Sequence, residues 1–185
     1  NDKYVWIHVS SLGEFEQGRP LIEMIKRENQ NQKILLTFFS PSGYEVCKNY
    51  QLADTICYLP FDTPSKVKKF LDAVNIDKAI FVKYEFWGNY LSQLKKRGIP
   101  TYIISAIFRP TQMFFKPYGG MFRKMLNCYD KIFVQDKESQ DLLASIGVTN
   151  VDICGDTRFD RVTDILENKV DLPIVETFTR SQYTL

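Results

Sequence analysis

The sequence predicts an α/β fold in which a mainly parallel, Rossmann-like sheet is sandwiched between helices. Three observations carry this expectation. Short apolar runs rich in β-branched and aromatic residues recur along the chain, segments with helical spacing separate them, and the runs are nearly continuous. Continuous rather than alternating strands are what a sheet covered on both faces requires.

Taken in order, the first run is Tyr4–Val9, and Ser10-Ser11-Leu12-Gly13-Glu14 leads from it into a helix. Leu21, Ile22, Met24 and Ile25 follow Pro20, read here as a first-turn residue whose missing N–H costs nothing. Lys33–Phe39 and Thr55–Leu59 are the second and third runs, and Val67, Phe70, Leu71 and Val74 follow Pro64 on one helical face. Lys78–Val82 is the fourth, succeeded by Trp87, Tyr90, Leu91 and Leu94. Thr101–Ser105, Lys131–Val134 and Val151–Cys154 complete the set. Beyond Asn168 the rhythm breaks at Pro173, so 1–167 is expected to be one domain and 168–185 a linker or the start of a second.

Composition narrows the function. No stretch of about 18 apolar residues occurs, which excludes a membrane span within the chain. A net charge of +2 does not suggest a basic nucleic-acid binder. Cys47, Cys57, Cys128 and Cys154 are scattered without a C-x-x-C pair, His8 is the only histidine, and no D-x-D cluster ends a strand. Neither a metal nor a cofactor is therefore expected. The average charge conceals segregation, because Phe86–Tyr129 holds seven basic residues and no acid. Arg109, Lys116 and Arg123 lie there among Phe108, Met113, Phe114, Phe115, Tyr118, Met121 and Phe122. One positive, aromatic face toward anionic lipid is expected, while Phe122 and Met125 also fit a helix buried on the sheet. Single-stranded nucleic acid would suit the same composition, but no RNP-like, KH or helix-turn-helix pattern accompanies it.

In open α/β sheets ligands bind outside the carboxyl ends of the strands. After the first strand there is neither G-x-G-x-x-G nor a Walker loop; Gly13 is expected to let the chain turn tightly, with Glu14 at the helix start. Glu14 has two readings, a complement to the helix dipole or a catalytic carboxylate. Glu85 follows the fourth strand among Tyr84, Phe86 and Trp87, where it either begins the next helix or joins aromatic faces in binding a polyhydroxylated ligand. Gly155-Asp156-Thr157-Arg158-Phe159-Asp160 follows the last strand, with Arg158 either a surface ion pair or a cation for anionic charge. His8 reads as a core histidine, and the absence of G-x-S-x-G argues against an α/β-hydrolase.

Four segments in order carry a family resemblance: Trp6-Ile7-His8-Val9-Ser10-Ser11-Leu12-Gly13-Glu14, Leu59-Pro60-Phe61-Asp62-Thr63-Pro64, Tyr84-Glu85-Phe86-Trp87 and Gly155–Asp160. Together they resemble the N-terminal half of the 3-deoxy-D-manno-octulosonic acid (Kdo) transferases. The resemblance implies a GT-B glycosyltransferase whose N-terminal domain binds a lipid A precursor and whose C-terminal domain binds the donor CMP-Kdo. It also implies work at the cytoplasmic face of a bacterial inner membrane, with attachment peripheral or through a segment outside this sequence. Glu14 matches the general base, and Glu85 and Arg158 match the transition-state stabilisers. Ser11, Gly13, Trp87, Arg109, Lys116 and Arg123 are the acceptor-binding candidates. Lys83, Tyr84 and Gly88 depart from the E-x-E-x-W-P-N segment, and Arg158 stands where the family has Lys. The alternatives are another GT-B transferase, half of a sugar-nucleotide epimerase, or a non-catalytic binding module.

Overall fold

Seven strands form at the predicted apolar runs, and helices fill the intervals. The computed structural model describes residues 2–155. The strands are β1 (Tyr4–Val9), β2 (Lys33–Phe38), β3 (Thr55–Tyr58), β4 (Ile76–Val82), β5 (Thr101–Ala106), β6 (Lys131–Val134) and β7 (Val151–Ile153). The helices are α1 (Leu12–Glu28), α2 (Pro41–Cys47), α3 (Pro64–Ala73), α4 (Gly88–Lys96), α5 (Gly120–Leu126) and α6 (Lys137–Ser145), with a 3₁₀ turn at Met113–Phe115. All pairings are parallel in the order β3-β2-β1-β4-β5-β6-β7, with Ile7 opposite Leu36 on one side and Ile80 on the other. The order reverses between β1 and β4, so the switch-point crevice opens beyond Val9 and Val82.

Strand alternation divides the core. Val5, Ile7, Val9, Ile80 and Val82 pack under α1 and α2 with Phe15, Ile22 and Cys47. Trp6, Phe81 and Ile103 face the other way, against Val67, Tyr90, Leu91, Leu126 and Leu143 of α3 to α6. Two close approaches set the spacing on the first face. A Cβ on Gly18 would lie 3.2 Å from Val82 Cγ2, and one on Gly43 would lie 2.6 Å from Phe38 Cδ1 and 2.9 Å from the Ser11 carbonyl carbon.

The amino-terminal edge is tied by charge. Asp54 accepts from Lys26 Nζ at 2.8 Å, Lys33 Nζ at 3.0 Å and the Ile34 N–H at 2.9 Å. Burial pushes its carboxyl up, but these donors outweigh burial and bring it down to about 2.

Four expectations change. Pro20 lies inside α1, not in its first turn, so the helix accepts a lost hydrogen bond, a cost of about 3 kcal/mol, against the burial of Phe15, Gly18 and Ile22. Gly13 is helical and is not among the glycines with positive φ, so it makes no tight turn. Met24 is exposed although its spacing placed it with the core. Finally, the basic stretch is not one face. Lys95, Lys96 and Arg97 end α4 at the amino-terminal edge, where Lys95 meets Asp130 and Arg97 meets Asp72, while Arg109 follows the carboxyl end of β5. A parallel strand separates its two ends in space, which composition along the chain does not register. The boundary expected at 167/168 lies outside the described residues.

Among the described residues no helix is long and apolar enough to cross a membrane, and no three His, Cys, Asp or Glu side chains are grouped to hold a metal.

Because the contact at Gly43 involves backbone as well as Phe38, Gly43→Ala is expected to destabilise the domain by about 1–3 kcal/mol. Urea unfolding followed by circular dichroism measures this.

Candidate functional site

The loop after β4 turns sharply. Lys83 has φ 75°, a left-handed conformation that bulky side chains disfavour, and its N–H donates to Ile104 O at 2.8 Å. Ser105, at the corresponding end of β5, has φ 55°, and its carbonyl accepts from Gln135 Nε2 at 3.2 Å. Strain at both strand ends beside the switch point costs on the order of 1–3 kcal/mol per residue and persists because the surrounding bonds impose it.

The turn at Lys83 delivers Glu85 into the fold rather than to the rim: the side chain is 5% exposed. Ser10 Oγ donates to Oε1 at 2.5 Å and Trp87 Nε1 donates to Oε2. His8 Nε2 lies 3.3 Å from Oε2, within ion-pair distance but without hydrogen-bond alignment. The Glu85 carbonyl accepts from the buried hydroxyl of Tyr129. Burial pushes the Glu85 carboxyl up, but His8, Ser10 and Trp87 outweigh it and hold the pKa below the ordinary value of 4.5. The group is an anion at neutral pH.

Behind His8 the polar contacts continue to Thr37 and Trp6. Trp6 Nε1 donates to Thr37 Oγ1 at 2.8 Å, and an indole N–H has no acceptor role. The Thr37 hydroxyl and carbonyl oxygens lie 2.9 and 3.2 Å from His8 Nδ1.

Glu14 sits in the first turn of α1, where Ser11 Oγ donates to its carboxylate. The Ser11-x-x-Glu14 spacing is that of a capping box, yet the serine bonds the acid instead of a backbone N–H. Adjacent serines thus hold the two acids: Ser10 binds Glu85 and Ser11 binds Glu14. Gly13 leaves open room beside them, since a Cβ there would meet only Ser11 Oγ, at 3.8 Å.

Trp87 packs on His8 and Phe39, with ring centroids 5.7 and 4.9 Å away, and Phe39 in turn meets Phe61. Asp62 secures the next helix from outside: its carboxylate accepts the Asn89 and Tyr90 N–H groups, each at 3.1 Å, so it caps α4 where Trp87 has no capping side chain.

The basic candidates lie along the same edge in different settings. Arg109 is exposed, with Glu138 3.8 Å away. Lys116 is half-buried after the 3₁₀ turn. Arg123 donates to the carbonyls of Phe114 at 3.2 Å and Lys116 at 3.5 Å, so part of its guanidinium braces that turn. Arg158 lies outside the described residues.

The structure therefore gathers Ser11, Gly13, Glu14, Glu85 and Trp87 around the switch point. It adds Ser10, His8, Thr37 and Tyr129, which sequence reasoning did not select. Ser10 was legible as the first residue past a strand end. Thr37 offered one signal, a lone hydroxyl inside the apolar run Lys33–Phe38, where a buried polar group needs a partner.

A family model described as 3-deoxy-D-manno-octulosonic-acid transferase (kdotransferase) matches residues 1–161. The chain belongs to the Kdo transferase family. It is 29% identical over 157 residues to a 3-deoxy-D-manno-octulosonic acid transferase of Aquifex aeolicus, covering 84% of this chain and 40% of that protein. The counterpart in Haemophilus influenzae is 29% identical over 175 residues, covering 90% of this chain and 40% of the relative. The chain thus spans about 40% of the length of these relatives. Among solved structures, the UDP-N-acetylglucosamine 2-epimerase of Rickettsia bellii superposes with a TM-score of 0.67 at 13% identity, covering 97% of this chain and 52% of that one. The UDP-GlcNAc 2-epimerase of Neisseria meningitidis gives 0.67 at 16% identity, covering 94% and 52%. At these identities the likeness is one of fold: this chain has the doubly wound α/β domain that matches about half of each epimerase.

Glu85→Ala removes an acceptor shared by two hydrogen-bond donors and the carboxylate beside His8, and is expected to cost on the order of 3 kcal/mol. Because its folded pKa is depressed, Glu85 contributes stability that is complete above 4.5 and is lost as the pH falls through the lowered value. The stability difference between wild type and Glu85→Gln should accordingly shrink on acidification below 4.5, as measured by urea unfolding at a series of pH values.

Proposed function

We propose that the chain is the acceptor-binding part of a glycosyltransferase that moves Kdo from CMP-Kdo to a lipid A precursor in lipopolysaccharide core biosynthesis. The observation that carries this reading is the pairing of Ser10 with Glu85 and of Ser11 with Glu14. Two neighbouring residues of one strand end thereby set a partly accessible acid and a buried anion around the same crevice.

The two acids have different tasks. Glu14, at the open end of α1, takes the proton of an acceptor hydroxyl as its oxygen attacks the anomeric carbon of Kdo. The bond from that carbon to the CMP phosphate breaks, and the phosphate leaves with the electron pair. Glu85 contributes a fixed negative charge beneath the positive charge that develops at the anomeric carbon, and a charge held in a water-poor site acts more strongly than one in solvent. Arg158 offsets the anionic charge on the departing phosphate. The donor sits largely on the C-terminal domain of the longer protein. Ser11, Gly13, Trp87, Arg109, Lys116 and Arg123 receive the acceptor, and Met113, Tyr118 and Met121, all largely exposed, meet an anionic membrane surface from the cytoplasmic side.

In the full-length enzyme, Glu14→Gln is expected to lower kcat by about 10²–10⁴-fold with an unchanged unfolding midpoint. Radiolabel transfer from CMP-Kdo to a lipid A precursor reads the rate, and near-normal transfer by the variant would remove Glu14 as the base. The 185-residue chain should bind the precursor weakly and CMP-Kdo not at all. Saturable binding of the nucleotide sugar to it would contradict the division between acceptor and donor domains.

A further inference from the structure

The backbone around Glu85 is fixed before its carboxylate is placed. The Lys83 N–H donates to the Ile104 carbonyl, and the Tyr129 hydroxyl donates to the carbonyl of Glu85 itself. What remains free is the side chain, whose torsions decide where the anion faces. Three groups act on it: Ser10 Oγ on Oε1, and Trp87 Nε1 with His8 Nε2 on Oε2. A ligand affects these three differently. Ser10 and Trp87 are half-buried at the crevice, so a polyhydroxylated molecule entering it competes for the serine hydroxyl and the indole N–H. His8 is fully buried in β1, a strand paired on both sides, opposite Thr37 of β2 and Phe81 of β4. Of the three, it is the neighbour that a ligand cannot displace.

The imidazole is itself held on several sides. Edge contacts with Phe81 and Trp87, at 5.8 and 5.7 Å between centroids, fix the plane of the ring, and Thr37 Oγ1 lies 2.9 Å from Nδ1. Trp6 Nε1 in turn holds Thr37 Oγ1 at 2.8 Å. This polar line is costly where it stands. Trp6, His8 and Thr37 are fully buried, on the sheet face that carries Leu35, Phe81 and Tyr90, and His8 Nε2 makes no hydrogen bond among the described residues. Aliphatic side chains at 8 and 37 would fill the same space without burying polar atoms. A buried nitrogen without a hydrogen bond calls for a reason, and this one stands 3.3 Å from a single carboxylate.

We infer that His8 is a positioning residue for Glu85 and that Thr37 acts through it, the two keeping Oε2 in place while substrate groups contend for Ser10 and Trp87. The inference rests on the reading of Glu85 as the fixed negative charge of the transfer reaction. It carries that reading into the interior of the sheet: a hydroxyl on β2, shut off from the crevice, sets how the charge is presented in it.

Kdo transfer by the full-length enzyme, with kcat and both KM values measured, tests this. Thr37→Val is expected to lower kcat about 10–100-fold, the loss typical when the group orienting an active-site histidine is removed, with each KM changed less than about twofold. Thr37→Ser, which keeps the hydroxyl, should return kcat to within about threefold of wild type. His8→Leu should lower kcat at least as far as Thr37→Val. In the Glu85→Gln background Thr37→Val should change kcat less than about twofold, because the charge through which it acts is gone. Leu35→Ala controls for lost stability: Leu35 lies on the same strand and face, and its truncation should lower the unfolding midpoint while kcat of the folded enzyme stays within about twofold of wild type. Wild-type kcat in Thr37→Val, equal losses in Thr37→Val and Thr37→Ser, or an undiminished effect of Thr37→Val beside Glu85→Gln would overturn the inference and leave the transferase reading. A wild-type enzyme without Kdo transfer rejects that reading and the inference with it.

Discussion

An ionised carboxylate inside a protein is costly unless donors replace the water it has lost. Glu85 meets that condition with the donors of Ser10 and Trp87, with His8 Nε2 3.3 Å away, and much of the surrounding geometry follows. Ser10 and His8 reach it only because β1 and β4 are paired, with His8 opposite Phe81. The left-handed turn at Lys83 is tolerated because it brings Glu85 back to those donors, and Tyr129 holds the loop by its carbonyl. Asp62 then starts α4 immediately afterwards, so a change of loop path would disturb a helix as well as a charge.

The two edges of the sheet answer opposite demands. At the amino-terminal edge Asp54, Asp72 and Asp130 pair with Lys26, Lys33, Arg97 and Lys95, which leaves that end electrostatically closed. At the carboxyl edge the cations are less fully matched and the aromatic residues are more exposed: Phe61, Tyr84 and Tyr118 are 62%, 46% and 72% accessible. A net charge of +2 along the whole chain does not register this segregation along the strand direction.

Most of the fold was legible because parallel strands buried on both faces are continuous apolar runs, and Tyr4–Val9 and Lys131–Val134 fall where the sequence puts them. Pro20 misled because a local rule was overridden by the tertiary packing of Phe15, Gly18 and Ile22. Gly13 misled because a glycine after a strand suggests a turn, while the helix had already begun at Leu12. In the site, the positions of Glu14 and Glu85 were legible as strand-end residues, but the burial of Glu85 was not. That depends on a φ of 75° at a lysine, which no residue preference announces. The Thr37–His8 contact joins residues 29 apart and appears only once β1 and β2 are in register.

The chain of donors behind Glu85 has an optical consequence. The sequence contains two tryptophans, and both indole N–H groups end in the same network, Trp87 directly and Trp6 through Thr37 and His8. Trp6 is fully buried and Trp87 is partly exposed at the crevice, so the two indoles sit in unlike surroundings. Trp87 emission is therefore expected to respond to the charge on Glu85, with the buried Trp6 as an internal reference.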